Sequence, residues 1–178
     1  MIVLGIDSGI TGGLAFLDGE RIELLPMPIH PDNSIDVSAA QRWLDHLGTP
    51  DLCIIEEQRP RHSQNVTAVA TSQRNYGKLL GMLETLEIPH EIVTPQVWQK
   101  ALGVNRSRPK RPEGETKKQE AKRLNAHRKK CKDAAAAYCR RRYPHARITP
   151  ESGKGSKSYH DGLSDALCQA EFGRRERE

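Results

Sequence analysis

The sequence lacks the features of a membrane span, a secreted scaffold or a zinc-stapled domain. No apolar stretch approaches the roughly 20 residues of a transmembrane helix. The N-terminus has no basic-then-apolar pattern of the kind a secretory signal shows. Four cysteines, Cys53, Cys131, Cys139 and Cys168, include no CxxC pair, which removes the spacing of a zinc ribbon or a disulfide framework. His127 and Cys131, four residues apart, are read with the rest as ordinary side chains, the cysteines as reduced thiols. These absences lead us to expect a cytoplasmic protein with no membrane association. No internal repeat is present. A chain of 178 residues suits one domain with a real core and is too short for two full α/β lobes.

What the chain does have is an uneven charge. Its net charge of +5 conceals a block from Lys100 to Arg147 with 17 Lys and Arg against 4 Asp and Glu, a local net of +13. The remaining residues carry −8. A basic block this concentrated on an acidic body points to a polyanionic partner and favours nucleic acid over a merely solvated helix face.

Periodicity and punctuation give the order of elements. "IVLGID" is a continuous apolar run, as expected of a strand buried on both faces. "GGLAFLD" and "RIELLPM" flank Asp18-Gly19-Glu20, a hairpin signal. A helix is predicted over 37–47, capped by Asp36 and ended by Gly48. "DLCIIEE" is a second buried strand. A long helix follows over 66–86, with Val69, Leu79, Leu80, Leu83 and Leu86 near helical spacing. "HEIVT" is a short strand, and Thr94-Pro95 opens the helix that carries Val97, Trp98 and Leu102. Residues 103–116, with Pro109, Pro112 and Gly114, read as a mobile basic loop. Helix resumes over 117–143 until Pro144. Gly153 to Ser158 is a linker into a last helix over about 159–172. This order predicts an α/β fold: an antiparallel meander completed by parallel crossovers into a mixed five-stranded sheet flanked by helices, with the first and fourth strands side by side at its centre.

Three acidic positions then acquire a common address. Asp7 ends the first strand, just before a turn rich in glycine, and Glu56 and Glu57 end the fourth. Strand alternation puts Leu52, Ile54 and Glu56 on one face and Ile55 and Glu57 on the other, so Glu56 is placed in the site with Glu57 as the alternate. Asp161 and Asp165 stand four apart in "YHDGLSDALCQAEF", on one face of a helix whose apolar side carries Leu163, Ala166, Leu167 and Ala170. Carboxylates in such a set suit hard divalent ions, Mg²⁺ or Mn²⁺. Two such ions about 3.5–4 Å apart serve phosphodiester hydrolysis by activating a water and stabilising the leaving oxygen. The plainer reading of Asp7 is an acid that caps its own turn, and of Glu56 or Glu57 a solvated strand end.

The stretches "GIDSGITGG", "IIEEQ", "SQRNYGKLLGMLETLEIPHEIVTPQVWQKALG" and "HDGLSDALCQA" resemble, in the same order, the RuvC family of Holliday-junction resolvases within the ribonuclease H-like superfamily. The resemblance spans most of the chain. It implies a homodimeric, metal-dependent endonuclease that nicks two opposed strands of a four-way DNA junction. It puts catalytic and metal-binding acids on Asp7, Glu56 and Asp165, with one more acid earlier on the last helix. Bacterial members have that extra acid three residues before the last one, where this chain has Gly162. Asp161 is one residue earlier still, the spacing of other branches. The basic insertion of 103–130 also departs from the bacterial pattern and looks more like viral and phage versions.

DNA contacts are assigned by class. Arg59, Arg61 and His62 follow Glu56 and would lie beside the scissile phosphate. The family's junction-centre wedge is often aromatic, but "QRPRHSQN" has no aromatic, which leaves Arg59 or Arg61 to stack or to pair with phosphate. Gln73, Arg74, Asn75 and Lys78 lie at helical spacing and could track the backbone. Lys100, Arg106, Arg108, Lys110, Arg111, Lys117 and Lys118 supply the basic block. Trp43 and Trp98 are read as core or interface residues. Other readings are a ribonuclease H-like enzyme acting on RNA–DNA hybrids or in transposition, an actin-like ATP-binding fragment suggested by "GIDSGITGG", and a basic junction-binding protein without catalysis. No nucleotide cofactor is expected.

Overall fold

The computed structural model describes residues 1–59, 65–105, 109–148 and 160–178. The opening apolar run is β1 (Ile2–Asp7), followed by β2 (Gly13–Asp18) and β3 (Arg21–Pro26). Asp18 pairs with Arg21, so Gly19-Glu20 is a two-residue hairpin loop, and Gly19 adopts φ +58° as such turns require. Next come α1 (Val37–Asp45), β4 (Leu52–Glu56), α2 (Val66–Thr85) and β5 (His90–Val93). The chain ends in α3 (Pro95–Ala101), α4 (Lys117–Arg142) and α5 (Asp161–Arg175). The sheet order is β3-β2-β1-β4-β5. β1 and β2, like β2 and β3, are antiparallel, whereas β1 with β4 and β4 with β5 are parallel. The expected mixed sheet is therefore present, with β1 at its centre beside β4.

Alternation along these strands builds two cores. Val3, Ala15, Leu17, Leu52 and Ile54 face α5, α3 and α4, where they meet Trp98, Ala135, Tyr138, Ala166 and Leu167. Leu4, Ile6, Leu14, Phe16, Cys53 and Ile55 face α1 and α2, meeting Ala40, Leu44, Leu79 and Leu83. The apolar face of α2 begins only at Tyr76, since Val66 is 86% exposed and Val69 half-buried. The predicted stripe over the whole helix holds for its second half.

The helix ends are set by local chemistry. Asp36 accepts the Ala39 amide at 2.9 Å, and Gly48 (φ +114°) closes α1 with its amide on Leu44. Thr116 and Gln119 form a reciprocal capping box at the start of α4. The stretch leading into it is tied down in part: Arg123 pairs with Glu115 at 2.7 Å and donates to the Pro109 carbonyl, and Val104 is buried. Gly153 to Ser158 and Tyr159 lie outside the described residues. The four cysteines are free thiols, as read from sequence.

α5 sits against β1 with no side chain between the two backbones. A Cβ at Gly5 would stand 2.0 Å from the Ala166 carbonyl oxygen and 2.6 Å from the Ala170 amide. Near its C-terminus, Gly173 packs instead on the side chains of Ile54 and Val3. The far end of α5 is anchored by Glu171, which is fully buried. Its carboxylate accepts from Tyr143, Tyr138, Arg174 and Arg175. Burial alone would raise the Glu171 carboxyl, but these donors outweigh it and bring it down to about 2. Gly5→Ala is expected to cost about 3 kcal/mol or more, because the obstructing atoms are backbone and cannot rotate away. Chemical denaturation measures this, and a loss below the noise would show that α5 can lift off β1 freely.

Candidate active site

Asp7 is the last residue of β1, and the chain reverses immediately after it. Gly12 donates its amide to Gly9 O at 2.8 Å, and a Cβ at Gly12 would fall 2.0 Å from the Asp7 carbonyl. One Asp7 carboxylate oxygen accepts the Gly9 amide at 3.3 Å, so the plainer capping contact does exist. Burial raises the Asp7 carboxyl, opposed by that amide and by Lys132.

β4 runs parallel beside β1, with Ile6 paired to Ile55, so Glu56 comes out next to Asp7. Its side chain lies on the α5 face, like Leu52 and Ile54, and its Oε2 accepts from Trp98 Nε1 at 3.2 Å and Gln169 Nε2 at 3.4 Å. Trp98, read from sequence as a core residue, is 1% exposed and also orients this carboxylate. Glu57 diverges: its amide donates to Val93 O at 2.9 Å and its carboxylate pairs with Arg59 at 2.7 Å.

The helix acids complete the group. His160 caps α5 by accepting the Leu163 amide, which leaves Asp161 and Asp165 in the first two turns. Gly162 packs on the Asp7 turn so closely that a Cβ there would be 2.3 Å from Gly12 Cα. No side chain fits at 162 in this packing, and Asp161 is the acid in the first turn of α5. Asp165 is half-buried and feels the negative charges of both Asp7 and Glu56. Burial first, and these two charges next, raise its carboxyl well above the ordinary range.

One contributor went unnoticed in the sequence. Lys132, on α4, donates to Asp161 Oδ2 at 2.8 Å and interacts electrostatically with Asp165 and Asp7. Burial disfavours its charge, but the bond to Asp161 and the neighbouring carboxylates prevail and hold it protonated. Within a block of 17 cations no spacing marks it out; only the packing of α4 on α5 does. Among the described residues no three acidic, histidine or cysteine side chains stand close enough together to hold a metal ion. Carboxylate oxygens are the donors a hard divalent ion prefers, so Asp7, Glu56, Asp161 and Asp165 fit one by donor type, but their side chains would have to close in, and Asp161 to exchange its bond to Lys132, for an ion to be held.

The sequence-assigned DNA contacts separate into groups. Arg61, His62, Arg106 and Arg108 lie outside the described residues. Arg59, Arg74, Lys100, Lys110, Arg111, Lys117 and Lys118 are exposed. Gln73 is exposed too and donates to Gln58 O at 3.1 Å. Asn75 differs from the expectation of a backbone-tracking residue. It is 2% exposed, donates to Asn33 O at 3.0 Å and accepts the Ile35 amide at 3.1 Å, which fixes the β3–α1 connection. Lys78 turns the same way and donates to Ile35 O at 3.3 Å. Helical spacing alone did not distinguish the outward Gln73 and Arg74 from the inward pair.

The raised Asp165 carboxyl has a consequence for stability. A carboxyl raised in the folded state costs stability once the pH passes its ordinary value of 3.8, and the cost is complete above its folded value. Asp165→Asn removes that cost. In EDTA at pH 8 the variant should melt several degrees above the parent, and the gap should close as the pH falls towards 4. Equal melting temperatures at pH 8 would show that neither burial nor its acidic neighbours make the charged Asp165 carboxylate costly in the folded protein.

No protein-family model and no curated protein matches the sequence. Among solved structures the chain is similar to Thermus thermophilus RuvC in complex with a Holliday junction substrate. The identity is 18% and the TM-score 0.58, with 99% of this chain and 97% of that one covered. It is also similar to a second structure of Thermus thermophilus RuvC, at 19% identity and a TM-score of 0.54, covering 99% and 96%. The mixed sheet, the order of its strands and the helices packed on it thus make this a RuvC-type, ribonuclease H-like fold.

Proposed function

We propose that the protein is an endonuclease that resolves four-way DNA junctions by paired, metal-dependent nicks. The observation that carries the reading is the gathering of Asp7, Glu56, Asp161 and Asp165 at one sheet edge of a RuvC-type fold, where Asp165 is already under the negative charge of Asp7 and Glu56. Asp7, Glu56 and Asp165, with Asp161, would hold Mg²⁺ or Mn²⁺. Bound there, two such ions would supply activation of the attacking water and stabilisation of the leaving 3′ oxygen.

The chain's own residues do the positioning. The strand ends fix Asp7 and Glu56 on the rigid centre of the sheet, and Trp98 and Gln169 hold the Glu56 carboxylate in one orientation. Lys132 offsets part of the repulsion among the acids and presents a cation at the rim where a phosphate would approach. The basic block, through the exposed Lys100, Lys110, Arg111, Lys117 and Lys118, draws the DNA backbone in and releases condensed counterions from it.

Incubation with a labelled four-way junction, a plain duplex and an RNA–DNA hybrid tests the substrate. Junction nicking should dominate and stop in EDTA, while junction binding should persist there and weaken steeply with salt. Asp7→Asn, Glu56→Gln and Asp165→Asn should each lower the cutting rate by roughly a thousandfold or more while retaining affinity. Glu57→Gln should cut nearly normally, since its carboxylate is paired with Arg59 on another course. Preferential cutting of the hybrid, or full activity in EDTA, would overturn the reading.

Paired nicks require two sites in fixed relation, which a two-fold dimer provides. α2 is our candidate for part of that interface: beside Gly77 and Gly81 a Cβ would meet no other atom within 4 Å, so this surface is open to close approach. Sedimentation at micromolar concentration should give a dimer; a monomer that still makes paired nicks would exclude this arrangement.

A further inference from the structure

Gln169 lies one helical turn beyond Asp165 on α5, in the row that begins with Asp161, and is fully buried. Its side-chain nitrogen donates to Glu56 Oε2 at 3.4 Å, the same oxygen that accepts from Trp98 Nε1 at 3.2 Å. Its side-chain oxygen is buried as well and meets no donor among the described residues. Turning the amide round does not mend this. An ionised carboxylate only accepts, so the nitrogen must face Glu56 and the oxygen must face away.

A buried amide oxygen without a donor costs stability, because its water has been removed and nothing replaces it. A methionine would fill much the same space without that cost. Gln169 is thus kept at the expense of folding, in contact with a candidate metal ligand. The character of the donors adds a second argument. Asp161 is paired with Lys132, Glu57 with Arg59, and Glu171 with Arg174 and Arg175. The indole and the carboxamide on Glu56 Oε2 are neutral. They fix the direction of the carboxylate without cancelling its charge, which suits a ligand for a cation. Divalent ions of the kind proposed keep several of their waters, and those waters need acceptors. An amide oxygen beside a ligating carboxylate is one.

We infer that Gln169 is a positioning residue of the metal site: its nitrogen orients Glu56 as a ligand, and its oxygen accepts a hydrogen bond from water carried by the bound ion. The inference rests on the proposed metal-dependent cutting and adds a residue to it. The amide then acts in opposite directions in the two states of the protein. Its oxygen lowers stability when no ion is bound, and both of its ends favour the ion.

The test uses the full chain with Mn²⁺ alone as the probe, its binding followed by the loss of the free-ion signal in electron paramagnetic resonance. The parent should bind Mn²⁺, and Gln169→Met should bind it roughly tenfold more weakly. In EDTA the variant should melt no lower than the parent and bind a four-way junction with the same affinity. Its cutting should be slow at low Mg²⁺ and recover as Mg²⁺ is raised, with KM for the junction unchanged. A measurement on the parent needs no variant: the side-chain amide protons of Gln169 should shift in NMR spectra as Mg²⁺ is added, with the midpoint of the shift at the Asp165 amide. Equal Mn²⁺ affinity in the parent and Gln169→Met, a variant that melts well below the parent in EDTA, or a Gln169 amide signal that Mg²⁺ leaves in place overturns the inference alone. A parent that binds no Mn²⁺ overturns the metal-dependent reading and the inference with it.

Discussion

The direct contact of α5 with β1 is the constraint on which the rest of the molecule depends. Gly5 allows the helix backbone to reach the strand backbone, and Gly162 allows the first turn of the helix to rest on Gly12. A side chain at either place would push the helix away by the width of a methyl group or more. Asp165 then could not come under the influence of both Asp7 and Glu56, and the acidic cluster would fall apart. The catalytic proposal therefore stands on two residues that have no side chain.

Holding four carboxylates together is electrostatically uphill, and the fold meets the cost from both ends of α5. At the acidic end Lys132 offsets part of the repulsion, and the Gly9 amide offsets more of it at Asp7. At the other end, tyrosines and arginines bind the buried Glu171 carboxylate. That network gains from the charge it buries, in contrast to the acidic cluster, which is strained by its charge. A helix anchored firmly at one terminus can tolerate repulsion at the other. Such repulsion is also what a divalent cation or an approaching basic group would relieve, so the strain is located where function would use it.

Much of the fold was legible because the strands at its centre are buried on both faces and the turns between them use residues with a single conformational purpose. "IVLGID" and "DLCIIEE" read as strands without ambiguity, Gly19 and Gly48 ended their elements as expected, and strand alternation divided Leu52 and Ile54 from Ile55 between the two cores. The long helix was harder. Its first half carries Val66 and Val69 at helical spacing, yet that half lies largely exposed, because spacing describes a face and not what covers it.

The sequence by itself determined the order and type of the elements, the central place of β1 and β4, and therefore the meeting of Asp7 with Glu56, since strand ends follow from topology once crossovers are parallel. Tertiary structure alone decided the rest. Lys132 reaches Asp161 across 29 positions in sequence, and Asn75 reaches the β3–α1 connection across 42, because helices pack by shape and no local signal encodes the partner. Likewise only the packing shows why position 162 has room for no side chain: Gly162 is pressed against Gly12, far from it in sequence. Local periodicity fixes which way a side chain can point. What it meets there depends on distant segments brought together by burial, and that information is distributed over the whole chain.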